Sequence, residues 1–330
     1  MVAAQTQSTK ALLARLRELR LHASRQPEEV VGIGLELERR GTLSKASGEV
    51  WDAVEQVAIA ATETGQTHLA KTLIASLTSH FSSSTPHRST YLSGVLKEAE
   101  GDLAGAREHY EMAIREDETD VASRKRLIAL HLSSPILTLP DAGASSYKAL
   151  SSSIPASQQP YLAASLSRQK GIHILVHYLD TYYADLTAWL SLASAYASLA
   201  LYPQALSALA HALVLAPNDP WVALKYAETV YTAGDVHTAW KEFCRVVEMS
   251  TEEGDATPLQ GAARRAAMGA KLCLPRLRAL PSPSDPLLAP AKLDALDLVF
   301  SSLLLDAYSK TEGAVGAGVV RKWIGGAVEA

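Results

Sequence analysis

Cysteine is nearly absent from this 330-residue chain, which carries only Cys244 and Cys273. One pair excludes both a disulfide framework and a thiolate zinc cluster. Both thiols stand in helix-like apolar contexts and read as buried free cysteines, which fits a reducing compartment. Phenylalanine numbers only 3, and β-branched residues are sparse beside Ala and Leu, so composition favours helix over sheet. No sign of charge dominates. Lys and Arg number 31 against 35 Asp and Glu, a net charge of −4, which excludes a generally basic nucleic-acid binder. No apolar run reaches bilayer length either. Residues 186–201 are broken by Ser191, Ser194 and Ser198, and 296–305 is too short to span. The opening stretch MVAAQTQSTKALLARLRELR lacks the apolar core of a secretory signal. Its Arg-rich amphipathic character suits either a transit peptide or a first helix.

Catalytic signatures are missing as well. There is no phosphate-binding GxxxxGK[ST] loop, no GxSxG elbow and no HExxH. His173 and His177 stand i,i+4 on a helical stretch, a spacing at which two imidazoles can share a metal, but Ile174 follows His173 where a catalytic Glu would stand. Asp180 is the one nearby acid, so a structural role is the reading for both. Gly32 and Gly34 follow no strand and make no nucleotide loop. No catalytic, cofactor-binding or metal residue is assigned, and the chain reads as a protein that is not an enzyme.

What the sequence does hold is a period. Residues 186–219 read LTAWLSLASAYASLALYPQALSALAHALVLAPND. With Leu186 as position 1, Trp189 stands at 4, Leu192 at 7, Ala193 at 8 and Tyr196 at 11. Ala205 stands at 20, Leu209 at 24, Ala212 at 27 and Pro217 at 32. This is the tetratricopeptide-repeat (TPR) pattern of two antiparallel helices. Positions 4, 7, 8 and 11 share one face of helix A, and 20, 24 and 27 share the matching face of helix B. Small residues at 8 and 20 let the two helices approach. Pro203 is tolerated in the first turn of helix B, and Pro217 ends it. One 34-residue step forward gives Ala227, Ala239, Phe243 and Val246 at positions 8, 20, 24 and 27, with Gly234-Asp235 in the turn. One step back gives Gly171, Leu175 and Tyr178 at 20, 24 and 27. A unit starting at His87 has Gly94, Ala106, Tyr110 and Ala113, with Glu100-Gly101-Asp102 as its turn. An earlier one has Ala58, Ala70, Ile74 and Leu77, with Gly65 in the turn. The aromatics at these spacings, Trp221 and Tyr226 included, read as core.

The predicted fold is therefore all-α, a TPR superhelical solenoid with N- and C-terminal helical caps. Residues 1–50 form the N-terminal capping helices, over 9–23 and 28–39. Residues 51–253 form the array and 254–330 the C-terminal helices. A Ser/Pro-rich insertion at about 133–165 interrupts the array after a helix over 121–132. Its 133–160 stretch holds eight Ser, four Pro and two charged residues. It reads as a mobile insertion, with one short helix near 147–150 and a helix B resuming over 166–179. A Pro-rich loop at about 274–290 precedes a last long helix over 287–310 and a weaker segment over 319–324. Arg124, Lys125 and Arg126 form a compact basic run at a helix start. A solvated face fits it, and so does contact with an acidic partner or a lipid headgroup.

TPR arrays bind peptides and other subunits in a groove lined by their A helices. One subclass grips chaperone tails with a clamp needing Lys or Asn near positions 5 and 9. Those positions here hold Leu190 and Ser194, then Leu224 and Glu228, while Lys125 is matched by Ala129. The clamp is not assembled, which leaves a co-chaperone-type adaptor for peptide tails as the alternative function.

Longer phrases narrow the reading. WDAVEQVAIAATETGQTHLAKTLIASL, LKEAEGDLAGAREHYEMAIREDETDVASRKRLIAL, AWLSLASAYASLALYPQALSALAHALVLAPNDP and ALKYAETVYTAGD together resemble subunit 2 of the ER membrane protein complex. The similarity covers roughly residues 28–248, and AIREDETDVASRKRLIAL is its most specific part. The insertion and the loop after Cys273 depart from that family and inherit no role. The resemblance implies a non-catalytic scaffold subunit, peripheral on the cytoplasmic face of the endoplasmic reticulum membrane. Its complex inserts transmembrane segments, tail-anchored proteins included. The implied partners are membrane-embedded subunits 3 and 5 and peripheral subunit 8 or 9, with no nucleic acid and no direct membrane span.

Overall fold

The computed structural model describes residues 8–22, 25–43, 48, 50–81, 86–133, 155, 159–250, 259–279, 289–309 and 314–326. Among them there are 15 helices and no strand. Contacts divide the chain into two compact units, Met1–Ile174 and Leu175–Ala330.

The first unit runs α1 (Thr9–Leu21), α2 (Pro27–Arg39), α3 (Val50–Glu63), α4 (Thr67–Phe81), α5 (Pro86–Ala99), α6 (Leu103–Glu116) and α7 (Val121–Ser133), and ends within α8 (Gln159–Thr181). From α1 to α7 each helix packs on the next, and first helices also touch across a pair, α1 on α3 and α3 on α5. At three of these helix starts a side chain satisfies orphan N–H groups. Ser8 accepts from the Ala11 amide, Asp102 from Gly105, and Asp120 from Ala122 and Ser123. Leu12, Leu16 and Leu19 of α1 enter one core with Val30, Ile33 and Leu37 of α2 and Val54, Val57 and Ala58 of α3. Two apolar helices thus cover the open face of the first repeat. Glu36, nearly buried on α2, accepts from both Arg39 and Arg40, and those guanidiniums hold its carboxyl down to about 2.

Small residues admit large ones at the helix crossings. A Cβ on Gly94 would stand 2.6 Å from the Tyr110 ring, so position 8 of that repeat has room for hydrogen alone. The Tyr110 hydroxyl then donates to Glu98 Oε1 at 2.6 Å, and Arg126 of α7 donates to the other carboxylate oxygen at 3.2 Å. Burial and the carboxylate raise the Tyr110 phenol above its ordinary range. Farther along α7, His131 is buried with neither ring nitrogen hydrogen-bonded, and desolvation lowers its pKa to about 4. Ser167 of α8 donates to the His131 carbonyl at 2.9 Å.

The second unit continues with the rest of α8, then α9 (Leu186–Ser198), α10 (Tyr202–Leu215), α11 (Pro220–Ala233), α12 (Val236–Met249), α13 (Gly261–Arg278), α14 (Pro290–Ser309) and α15 (Ala314–Gly326). Asp185, Asp219 and Asp235 cap α9, α11 and α12 by accepting from the amides of Ala188, Trp221 and Thr238. Position 15 of successive repeats turns left-handed in both units: Gly65 at φ 76°, Gly101 at 82° and Gly234 at 100°. Ala200 occupies the same position and is held at φ 58°, the one non-glycine with positive φ among the described residues.

Three boundaries differ from the sequence expectation. The Pro-rich break expected from Leu274 begins later, because α13 continues through Pro275 to Arg278. Cys273, Leu274 and Leu277 are almost wholly buried there, and that burial outweighs the backbone bond forfeited at proline in the last turn. The insertion expected to about residue 165 gives way to helix at Gln159, with Pro160 tolerated in the first turn. The short helix expected near 147–150 lies outside the described residues. The third concerns the end of the array. α13 packs on α12 and also touches α11, the relation of a next first helix, and α14 packs on it in turn. Repeat-like packing therefore continues past residue 253, where the 34-residue step is lost.

Candidate functional site

The second unit carries a cavity of about 400 Å3 between α11 and α13, floored by α12. Glu228, Tyr231 and Thr232 of α11 line one wall, Arg265, Met268 and Leu272 of α13 the other. The floor is Phe243 against Gly269. A Cβ on Gly269 would stand 2.5 Å from that ring, so glycine is what lets the phenylalanine reach the cavity. At the mouth Arg265 makes a two-bond pair with Glu228, at 2.5 and 2.9 Å. Arg276 lies over the Tyr231 ring, 4.6 Å from its centroid. The paired charges cancel, so the wall offers thioether, aliphatic and aromatic surface with a threonine hydroxyl beside it. Methionine adapts its shape to irregular apolar groups. Such a cavity can seat an apolar side chain of a partner segment.

The first unit carries a smaller cavity, about 240 Å3, lined by Trp51, Leu77, Phe81 and Leu92. Trp51 stacks on His80 at 4.3 Å and meets Phe81 edge-on at 5.5 Å. Arg88 pairs with Glu55 at its rim, beside Asp52 and Ser89.

Most residues singled out by period lie inside. Leu192, Ala193, Ala205, Leu209 and Ala212 are buried, as are Ala227, Ala239, Phe243, Ala106, Tyr110 and Ala113. Tyr196 is half-buried and Pro217 is exposed beyond α10. Trp189 is half-buried, donates its indole N–H to the Tyr183 carbonyl at 2.8 Å, and stacks on His211 at 4.5 Å. Trp221, expected in the core, is instead 53% exposed, and Phe243 lines the larger cavity.

The basic run is split by its helix. Arg124 donates to the Glu118 carbonyl at 2.7 Å, Arg126 turns inward to Glu98, and Lys125 is exposed. At the clamp positions of α11, Leu224 is buried and Glu228 is held by Arg265. His173 and His177 are both exposed, and among the described residues no group of three or more His, Cys, Asp or Glu is placed to hold a metal ion. Burial pushes the Cys244 and Cys273 thiols up to about 11 and about 12, which favours the protonated thiol at neutral pH. No described helix is long and apolar enough to cross a membrane.

Sequence reasoning missed Arg265, Met268, Gly269 and Leu272. The period is lost after residue 253, so nothing aligned α13 with the helices before it. The signal available was its alanine stripe, Ala262, Ala263, Ala266, Ala267 and Ala270, all buried against neighbouring helices.

Helix pairs of this length, small residues at the crossings and a left-handed residue in the turns at Gly65, Gly101, Ala200 and Gly234 define an all-α tetratricopeptide-repeat fold. A solved structure bears this out: the C-terminal part of a TPR repeat-containing protein from Cytophaga hutchinsonii. It superposes with a TM-score of 0.54 at 14% identity, over 92% of this chain and 98% of that one. No family model matches the chain. Among curated proteins it is 27% identical over 231 residues to the TPR repeat protein oca3 of Schizosaccharomyces pombe, covering 68% of this chain and 70% of that one. It is 28% identical over 210 residues to ER membrane protein complex subunit 2-B of Xenopus laevis, and 27% identical to subunit 2 of Xenopus tropicalis. The match takes in 64% of this chain and spans 59% of the length of either frog subunit. The chain is thus a divergent relative, by sequence similarity, of ER membrane protein complex subunit 2.

Proposed function

We propose that this chain is a non-catalytic scaffold subunit of an ER membrane protein complex. In this reading it sits peripherally on the cytoplasmic face of the endoplasmic reticulum membrane and supports insertion of transmembrane segments, tail-anchored proteins included. Its partners are the membrane-embedded subunits 3 and 5 and the peripheral subunit 8 or 9. The observation that carries the reading is the 210-residue similarity to the frog subunits. The cavity between α11 and α13 supports it, because a scaffold needs apolar recesses for partner side chains and this one offers them. Lys125, exposed on α7, is a candidate rim contact for an acidic partner, with Arg124 and Arg126 bracing the helix that presents it. Separated from its complex, the subunit would leave its docking surfaces uncovered and lose the stabilisation that binding supplies.

The experiment is a pull-down of the tagged chain after mild detergent extraction, with identification of the co-purifying proteins. Recovery of integral membrane proteins of the endoplasmic reticulum in stoichiometric yield is the expected result. Recovery of soluble chaperones alone would overturn the reading.

A further inference from the structure

We propose that the outer face of the α14–α15 hairpin is a docking surface for an anionic lipid bilayer. Four large apolar side chains stand in solvent within this short stretch: Leu298 is 72% exposed, Val299 50%, Val319 66% and Trp323 39%. Exposed apolar side chains are ordinary when scattered, and a cluster is not. The arrangement on α15 follows from its period. Val320 and Ile324, four apart, are buried and attach the helix to the unit. Val319 and Trp323, also four apart, form the stripe beside them, and Lys322 faces away from the attachment. The buried lysine places that stripe relative to α14. Lys271 Nζ lies 5.9 Å from the Trp323 ring centroid and bonds Asp297 and Ser301 of α14. The stripe therefore borders the α14 face that carries Leu298.

Charge decides the occupant. α15 has Arg321 and Lys322 side by side, both exposed, with no ion-pair partner among the described residues, and no acidic residue at all. On α14, Asp294 is paired with Arg278 at 2.8 Å and Asp297 with Lys271 at 2.6 Å, while Asp306 stands exposed two turns beyond Leu298. α15 is left cationic, with Lys322 next to the stripe of Val319 and Trp323. Tryptophan favours the headgroup level of a bilayer, and adjacent cations are drawn to an anionic leaflet. A short apolar stripe binds a membrane weakly by itself, and cations supply the rest. α15 itself offers no acidic or amide group to register a complementary protein, so a fluid anionic surface fits it better than a structured partner. The inference stands independently of the complex-subunit reading, since it concerns the purified chain and lipid alone.

The test is flotation of the full chain with large unilamellar vesicles, phosphatidylcholine alone or with 30 mol% phosphatidylserine. The expected result is partition onto the anionic vesicles only, weakening as salt is raised. The double variant Arg321→Gln/Lys322→Gln should partition about 30-fold less, about 5-fold for each cation. Leu298→Ser/Val319→Ser should lose at least about 10-fold. Both alter solvent-facing side chains, and circular dichroism checks that melting is unchanged. If either variant unfolds, Lys322→Gln alone provides the reading, with about 5-fold loss. Absence of partition by the wild type at 0.1 M salt would overturn the proposal, as would partition that the charge variants leave unchanged. Concentration-dependent dimerisation in sedimentation velocity, abolished by Leu298→Ser/Val319→Ser without any vesicle binding, would overturn it too, marking the face as an interface between copies.

Discussion

Lys271 provides the sharpest test of what holds the C-terminal helices of the second unit in place. Its side chain is 6% exposed, and its ammonium donates to Asp297 Oδ1 at 2.6 Å and to Ser301 Oγ at 2.8 Å. Asp297 is more open, 24% exposed, and has a second cation in Arg278 at 3.7 Å. Lys271→Met keeps the stem and removes the charge, leaving a partly buried carboxylate with one longer-range partner. Breaking a buried pair from one side costs about 3–5 kcal/mol. The residual exposure of Asp297 and the nearby Arg278 move the expectation to about 2–3 kcal/mol. Asp297→Asn strands the deeper charge and belongs at the upper end of the range. Removing both with Lys271→Met/Asp297→Leu should recover to within about 1 kcal/mol of wild type, because two desolvated ions are replaced by apolar groups. Ser301 stays satisfied, since its hydroxyl also donates to the Asp297 carbonyl at 2.6 Å. Urea unfolding by far-ultraviolet circular dichroism gives the global difference, and amide exchange in α14 gives the local one. A loss of about 2–3 kcal/mol accelerates exchange of the α14 amides about 30- to 150-fold. The reasoning fails if Lys271→Met stays within about 0.5 kcal/mol of wild type, or if the double variant is no better than the worse single one.

Two further outcomes follow from local strain and from a buried imidazole. Ala200→Gly should stabilise by about 0.5–1 kcal/mol, since left-handed backbone costs alanine about 1–2 kcal/mol and the added freedom of unfolded glycine returns part of that. Gly234→Ala, at φ 100°, should cost at least about 1 kcal/mol; thermal melts of the pair decide it, and a destabilised Ala200→Gly would contradict the reading. His131, lowered from 6.5 to about 4 by burial, with Lys170 and Arg107 adding to the effect, stays neutral in the folded chain while the unfolded chain takes up a proton. Its depressed value makes stability fall as pH drops from about 6.5 to about 4, by up to about 3 kcal/mol, and level off below. His131→Leu should flatten that part of the pH profile in urea titrations at pH 7, 5.5 and 4.5, and a variant whose acid sensitivity over that window matches wild type would refute the assignment.

The repeat was legible because its determinants are local. Period, small crossing residues and turn glycines act within one helix pair, and they place Ala205, Ala239 and Gly234 from sequence alone. The similarity to subunit 2 was legible for a different reason: it lies in phrases such as AIREDETDVASRKRLIAL that repeat geometry does not require. Ala200 was missed because alanine carries no turn signal, although the step that finds Gly234 lands on it.

Other features had no counterpart in the chain order. The basic run reads as one patch, yet Arg126 is drawn inward by Glu98, Arg124 is half-buried and Lys125 is exposed. α13 reads as lying beyond the array, yet it docks on α12 as another repeat helix and walls the larger cavity with Arg265 reaching back to Glu228, 37 residues away. Leu274 to Arg278 reads as a proline break, yet burial keeps it helical. Sequence by itself determined the helices, their pairing and the family likeness, because these depend on side-chain types at fixed short spacings. Tertiary structure alone decided which charges are spent inside and which face outward, because that depends on which groups desolvation forces together across long separations.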